Sequence, residues 1–411
     1  MKFYLVKEYG GELYILTNKD NPNRRLYSSD LQDTSFSKWT KLAKGKKHIV
    51  IEDFLITNDF IVVLERVKGF QRIRYKSKTS KKWKDIPLKE KFCSIELEEE
   101  KSTTNAVNFI YSSPITPYTS FSFDIASQKL QILYKPKMAW ELVARYFNIQ
   151  QLSATSKDGT KIPVTIIRRK DHGKSQRGLI LKVYGAYGAS YGGNFNEEDI
   201  ALLNDGFTIT YAHVRGGGEL GGKWYAEGKL LNKKNSFDDY IACAEYLIKK
   251  GYTTSQYLVG YGNSAGGLIM GYVINERPEL FNTVILDHPY LDVLNSMMND
   301  SLPLTTDEYK ELGDPRKLEV YKYMKSYSPY QNIKKQAYPN LLFIAGYNDE
   351  QTKYWQVAKY VASLRENNTG KSVILLKTNM QGGHMNNLNQ NGLKEKAFEQ
   401  TFIYSNLFKK K

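Results

Sequence analysis

The chain has 411 residues, 41% hydrophobic and 25% charged, with 59 Lys and Arg against 43 Asp and Glu for a formal charge of +16. That length exceeds one ordinary core, so two domains are expected, and the composition is that of a globular protein rather than a disordered one. The basic residues cluster only at 76–84 and 409–411, without the interleaved aromatics and glycines of a nucleic-acid module. A solvated basic surface and no specific nucleic-acid partner are therefore expected.

The two cysteines, Cys93 and Cys243, exclude a disulfide framework and a metal knuckle. No run of residues has the apolar length of a signal peptide or a bilayer span, so a cytoplasmic protein with no membrane partner is expected. No metal or cofactor is expected either. Tyr is frequent, with 31 residues, which suits strands and substrate pockets alike.

In chain order, short apolar-rich runs come first, at 2–7, 12–17, 54–57, 60–67, 72–76, 108–111 and 129–134, separated by turn residues such as those at 18–23. Closely spaced short strands predict an antiparallel array, whether sandwich, barrel or propeller. No repeat motif chooses among them. The pattern changes near 138–147, which divides the chain into an all-β domain at 1–145 and a second domain at 146–411. The second domain opens on a hairpin turned at Asp158-Gly159. Apolar runs at 178–184, 208–214, 257–261, 283–287, 341–345 and 372–377 then alternate with helical stretches at 235–250, capped by Asn235 or Ser236, and 352–366. Strand–helix alternation predicts a doubly wound α/β sheet.

The sharpest motif is Gly262-Asn263-Ser264-Ala265-Gly266, between a predicted strand and an apolar run that can begin a helix. A nucleophile elbow needs that context, because a tight strand-to-helix turn projects the serine hydroxyl. A plain glycine-rich turn is the bland alternative, and correct placement of both flanking elements weighs against it.

In this fold class the acid and then the base follow the serine. Of five histidines only His288 and His384 lie beyond Ser264. His288 follows a strand beside Pro289 and reads as a packed core residue. His384, in Gln381-Gly382-Gly383-His384 after the final strand, reads as the base. The acid belongs after the preceding strand, where Asp349 and Glu350 both qualify and spacing does not separate them. A helix-capping role for Asp349 is the simpler alternative. The amide of Ala265 offers one oxyanion donor. The first strand ends in Tyr184-Gly185-Ala186-Tyr187-Gly188, whose tyrosines either bring a phenol to the site as another donor or are core or pocket walls. The Arg215-Gly216-Gly217-Gly218-Glu219 loop lacks the spacing of a dinucleotide fingerprint.

Together with Ser301-Leu302-Pro303-Leu304-Thr305-Thr306, Tyr327-Ser328-Pro329-Tyr330 and the Asp349…Gln351…Tyr354-Trp355 loop, these motifs resemble the prolyl oligopeptidase family of serine peptidases, and within it the oligopeptidase B branch. Residues 1–140 resemble the family's β-propeller more weakly. The resemblance implies an α/β-hydrolase catalytic domain and a short peptide substrate. It implies Ser264 as nucleophile, Asp349 rather than Glu350 as acid, and His384 as base. Tyr184 would join the Ala265 amide in the oxyanion hole, with Tyr187, Glu308 and Gln351 against the substrate.

Departures accompany the likeness. A propeller blade takes about 40–45 residues, so the N-terminal part holds about three blades where the family has seven. A partial propeller implies a homo-oligomer or a missing N-terminal partner chain. The acidic pair that holds a basic side chain in oligopeptidase B becomes Glu308 and Lys310, and a second acidic pair falls on Gly192 and Asn194. After His384 the usual glycines give way to Met385-Asn386-Asn387. The leading expectation is a serine oligopeptidase, with a preference for basic residues resting on Glu308 alone. A serine esterase or acylaminoacyl-peptidase-like hydrolase, and an inactive truncated chain that needs a partner, are the alternatives.

Overall fold

A computed structural model describes residues 3–103, 105–138, 146–170, 177–384 and 390–408. Most of the 138–147 transition, the Met385-Asn386-Asn387 stretch and the 409–411 basic cluster lie outside the described residues. The chain forms two compact units. The first comprises Met1–Arg145 with two short segments, Gly192–Asn196 and Gly218–Tyr225; the second comprises Tyr146–Tyr191, Glu197–Gly217 and Ala226–Lys411.

Among the described residues the first unit holds twelve strands: β1 Tyr4–Tyr9, β2 Glu12–Thr17, β3 Arg25–Asp30, β4 Thr40–Lys44, β5 Ile49–Ile56, β6 Phe60–Val67, β7 Phe70–Ser77, β8 Lys84–Asp85, β9 Ser94–Leu97, β10 Ala106–Ser113, β11 Thr116–Asp124 and β12 Lys129–Tyr134. They form three four-stranded antiparallel sheets, each with its strands in sequence order, which is the meander of a propeller blade. The propeller is thereby chosen from the three architectures left open by the sequence. The middle sheet explains its own composition. Ile61 and Val63 of β6 pack with Leu16 and Leu26 of the first sheet, while Val62 and Leu64 pack with Ile95, Phe109 and Phe123 of the third. Both faces of β6 are covered, so its sequence is a continuous apolar run rather than an alternating one.

The second unit is built on β13 Phe147–Thr155, β14 Lys161–Arg169, β15 Leu179–Val183, β16 Thr208–Ala212, β17 Leu258–Asn263, β18 Thr283–Asp287, β19 Asn340–Gly346 and β20 Ile374–Asn379. Its helices are α1 Glu197–Asn204, α2 Gly222–Ala226 (shared with the first unit), α3 Lys234–Lys249, α4 Ala265–Glu276, α5 Val293–Met297, α6 Thr305–Glu308, α7 Leu318–Lys325, α8 Tyr354–Asn367 and α9 Gln390–Leu407. The eight strands run in the order β13-β14-β16-β15-β17-β18-β19-β20. The β13–β14 hairpin turns through Asp158-Gly159, where Gly159 has φ 84°. From β16 onward the sheet is parallel, and β15, β16 and β18 are buried along their whole length.

The expected cap of α3 is corrected. The helix begins one residue early, its cap position is Lys233, and no side chain caps it. Ser236 instead donates its hydroxyl to the Arg215 carbonyl at 2.7 Å. Arg215 is itself buried and grips the Asp239 carboxylate through Nε and Nη2 at 2.8 and 2.6 Å. The Arg215-Gly216-Gly217-Gly218-Glu219 loop therefore fastens α3 to the sheet through a paired buried charge.

Candidate active site

The loops after β15, β17, β18, β19 and β20 meet at the carboxyl ends of the parallel strands, the edge where ligands bind in open α/β sheets. Ser264 stands between β17 and α4 with φ 50° and ψ −117°, a conformation that costs a non-glycine residue on the order of 1–3 kcal/mol. The turn closes only because its neighbours are small. A Cβ on Gly266 would sit 2.2 Å from the Val183 carbonyl oxygen at the end of β15. The amide of Ser264 is anchored to the Asp287 carbonyl at 3.0 Å, so the elbow is tied to the next strand.

His384 arrives from the loop after β20. That loop runs against the one after β19: the Asn348 amide donates to the Gly382 carbonyl at 2.9 Å. A Cβ on Gly346 would meet the Gly383 carbonyl oxygen at 2.3 Å, so glycine at this position lets acid and base loops touch. The result is an assembled triad. His384 Nε2 lies 3.1 Å from Ser264 Oγ, and His384 Nδ1 lies 2.8 Å from Asp349 Oδ2.

The carboxylate facing the imidazole is that of Asp349, which is 1% exposed, whereas Glu350 is exposed to solvent. Asp349 Oδ1 accepts the amides of Gln351 and Thr352, each at 2.8 Å. Its Oδ2 lies 2.8 Å from the Thr352 hydroxyl as well. Burial works against its charge, but His384 and the Thr352 donors prevail and hold the carboxyl below the usual range. The helix-capping alternative is corrected: the cap position of α8 is Lys353, and no side chain caps it. The amides Asp349 accepts lie in the loop ahead of that position, and they fix its other oxygen toward His384.

Tyr184 lines one cavity with Ser264, and the serine side chain acts on its phenol. Burial, then the carboxylates of Glu308 and Glu311, push the phenol upward and keep it a donor at neutral pH. Ala265 opens α4, where first-turn amides have no intrahelical acceptor. Both donors expected for an oxyanion therefore border Ser264.

A cavity of about 300 Å³ lies over the triad, lined by Tyr184, Tyr187, Ser264, Glu308, Gln351 and His384 among others. Tyr187 Oη donates to the Glu308 carboxylate at 3.1 Å. Burial first, offset by Tyr187 and Lys233, pushes the Glu308 carboxyl up to about 7. Lys310 points away, exposed and 3.6 Å from Asp307, so it does not enter this cavity. Gly192 and Asn194 lie in the segment grouped with the first unit.

Several contributors had no legible sign in the sequence. Thr352 clasps Asp349, and Glu311 accepts the Tyr187 amide at 3.0 Å. Lys233 is fully buried with Nζ on the Gly185 carbonyl at 2.8 Å, and burial brings its ammonium down to about 8. Among the described residues no group of His, Cys, Asp and Glu could hold a metal ion, and no helix is long and apolar enough to cross a membrane.

A model of the prolyl oligopeptidase family matches residues 194–410, and one of the prolyl oligopeptidase N-terminal β-propeller domain matches residues 1–136. Dipeptidyl aminopeptidase BI of Pseudoxanthomonas mexicana is 35% identical over 387 residues, which cover 93% of this chain and 53% of that protein. Protease 2 of Moraxella lacunata is 36% identical over 410 residues, covering 98% of this chain and 58% of that protein. The structure of oligopeptidase B from Leishmania major matches with a TM-score of 0.91 and 32% identity, over 99% of this chain and 58% of that one. The chain thus spans little more than half the length of these relatives.

Proposed function

The chain belongs to the prolyl oligopeptidase family, and from that premise we propose that it is a serine peptidase of short peptides. The single observation that carries this reading is the closed line of contacts from Asp349 through His384 to Ser264. Ser264 Oγ attacks the scissile carbonyl while His384 Nε2 takes its proton, and Asp349 stabilises the imidazolium. The Tyr184 hydroxyl and the Ala265 amide receive the oxyanion. His384 then returns the proton to the leaving amine, and water resolves the acyl-enzyme by the same route.

Glu308 is the group that would read the residue before the scissile bond. Only its ionised form attracts a cationic side chain, and its carboxyl is pushed up to about 7. The sign follows: as pH falls through that value, Glu308 takes up a proton and loses the attraction. Turnover of substrates with Arg or Lys at this position should therefore drop below about pH 7 more steeply than turnover of matched neutral substrates. Glu308→Gln should reduce hydrolysis after Arg on the order of 10- to 100-fold, the worth of a charged hydrogen bond at a partly buried site. Profiling cleavage of a peptide library across pH checks both. Equal profiles for Arg and neutral residues would remove Glu308 from specificity and leave the peptidase assignment in place. The name of the Pseudoxanthomonas relative makes free and blocked N-termini a useful contrast in the same library.

The partner expectation rests on β12. Among the described residues it is an edge strand paired only with β11, and Leu130, Ile132, Leu133 and Tyr134 along it are 39%, 54%, 49% and 65% exposed. Apolar edges of this kind tend to be covered. Light scattering should find concentration-dependent association through this edge, and a monodisperse monomer at high concentration would count against it.

A further inference from the structure

One strand beyond the elbow, a second Asp–His pair stands beside the triad. Asp287 closes β18, and His288 follows it with φ 45°, the left-handed region that a residue with a side chain rarely adopts. The His288 amide donates to the Ile344 carbonyl at 2.9 Å, and its own carbonyl lies 3.0 Å from the Thr352 hydroxyl. Residue 288 is therefore bonded on one side to the acid strand and on the other to the threonine that clasps Asp349. His288 Nδ1 lies 2.7 Å from Asp287 Oδ1. Its ring is 4% exposed and meets His384 edge-to-face, with centroids 6.0 Å apart and planes at 76°. Both Asp287 and His288 border the cavity over Ser264.

We propose that His288, oriented by Asp287, is a positioning residue for His384 that sets the pH range over which Ser264 is activated. The inference rests on the triad reading above and deepens it. Asp349 places negative charge at one edge of the catalytic ring, and a protonated His288 places positive charge against another. A cation there opposes protonation of His384 and extends the active range toward acid.

The groups around His288 favour its charge. Burial opposes the cation, but Asp287, then Asp349 and Glu395 of α9, together move the imidazole above its ordinary value. Asp287 stays ionised because Lys396 of α9 and His288 outweigh its burial. Tyr261 of β17 donates to Asp287 Oδ2 at 2.9 Å, and Lys396 Nζ lies 3.3 Å from the same oxygen. Glu399 and Glu198 complete the cluster around Lys396, at 2.8 and 3.8 Å, and Lys377 acts on Glu395 from β20. A purely structural Asp–His pair needs neither the strained backbone nor a ring turned onto His384.

The test is the pH dependence of fluorophosphonate labelling of the full chain, which requires no knowledge of the substrate. In His288→Gln, the acid limb of the labelling rate should move to higher pH by on the order of one unit, the effect of a charge at this distance. His288→Gly accepts the positive φ without penalty and should shift the limb the same way, which keeps the test intact if the glutamine variant folds poorly. Asp287→Asn removes an anion and discharges His288 together, so its shift should be smaller. Folded His288 variants with the wild-type acid limb would overturn the proposal, even if their melting temperatures fall. Wild-type chain that takes no label at any pH would overturn the parent reading instead.

Discussion

Ser264→Ala is expected to abolish fluorophosphonate labelling and to lower peptide hydrolysis by about a millionfold, with the melting temperature changed by no more than a few degrees. The kinetic loss follows from geometry. Ser264 Oγ is the atom 3.1 Å from His384 Nε2, and no other hydroxyl is recorded at that nitrogen among the described residues. Removal of the hydroxyl leaves the elbow's backbone anchors untouched, since the amide of Ser264 still reaches the Asp287 carbonyl and its carbonyl still accepts the Gly267 amide at 2.9 Å. Ser264→Gly makes a sharper companion. It should be equally silent, yet melt above Ser264→Ala, because glycine adopts φ 50° without the strain that alanine retains. Tyr184→Phe should be graded between these and wild type, labelling still but losing on the order of 10²- to 10³-fold in turnover, as removal of one oxyanion donor does. Labelling that persists in Ser264→Ala would place the reactive group elsewhere and sink the triad.

Fold and site were unequally legible, for physical reasons. β2 and β12 were located to the residue because apolar runs there end at clear turns. β3, with the sequence Arg-Leu-Tyr-Ser-Ser-Asp, and β11, rich in Ser and Thr and carrying a proline, were missed. Their strand character comes from pairing with neighbours already in place rather than from their own composition. The parallel strands of the second unit were easier, since burial makes strands such as β15 and β18 short, largely apolar runs.

At the site, chain order and the elbow motif sufficed for Ser264 and His384, because chemistry restricts both residue type and order. Spacing does not separate Asp349 from Glu350, since adjacent acids differ only in which way the loop turns them; the family resemblance and the folded loop do. His288 was read as a packed core residue, and it is indeed buried, but burial set it against the catalytic ring. Neither that contact nor the grip of Thr352 on Asp349 has a signature in spacing. Both depend on how close the loops after β18, β19 and β20 come, which is fixed by glycines such as Gly346 whose necessity appears only in three dimensions.

Asp349→Asn should cost on the order of 10⁴-fold in turnover while leaving the fold and the serine in place. The two oxygens of Asp349 are not equivalent. Oδ1 accepts two backbone amides, from Gln351 and Thr352, and only an oxygen can do so. An asparagine side chain must therefore direct its amide nitrogen to the Oδ2 position, facing His384 Nδ1. Two donors cannot share that contact, so the imidazole must carry its proton on Nε2 and present Nδ1 as the acceptor. Nε2 then points a hydrogen at Ser264 Oγ and cannot take one away. The same argument predicts little loss of stability, because both backbone bonds survive the substitution. Glu350→Gln is the control: Glu350 is exposed to solvent, and its loss should change turnover by less than about threefold. Parallel measurement of the two variants decides the acid outright, because a large loss in Glu350→Gln with an active Asp349→Asn would reverse the assignment.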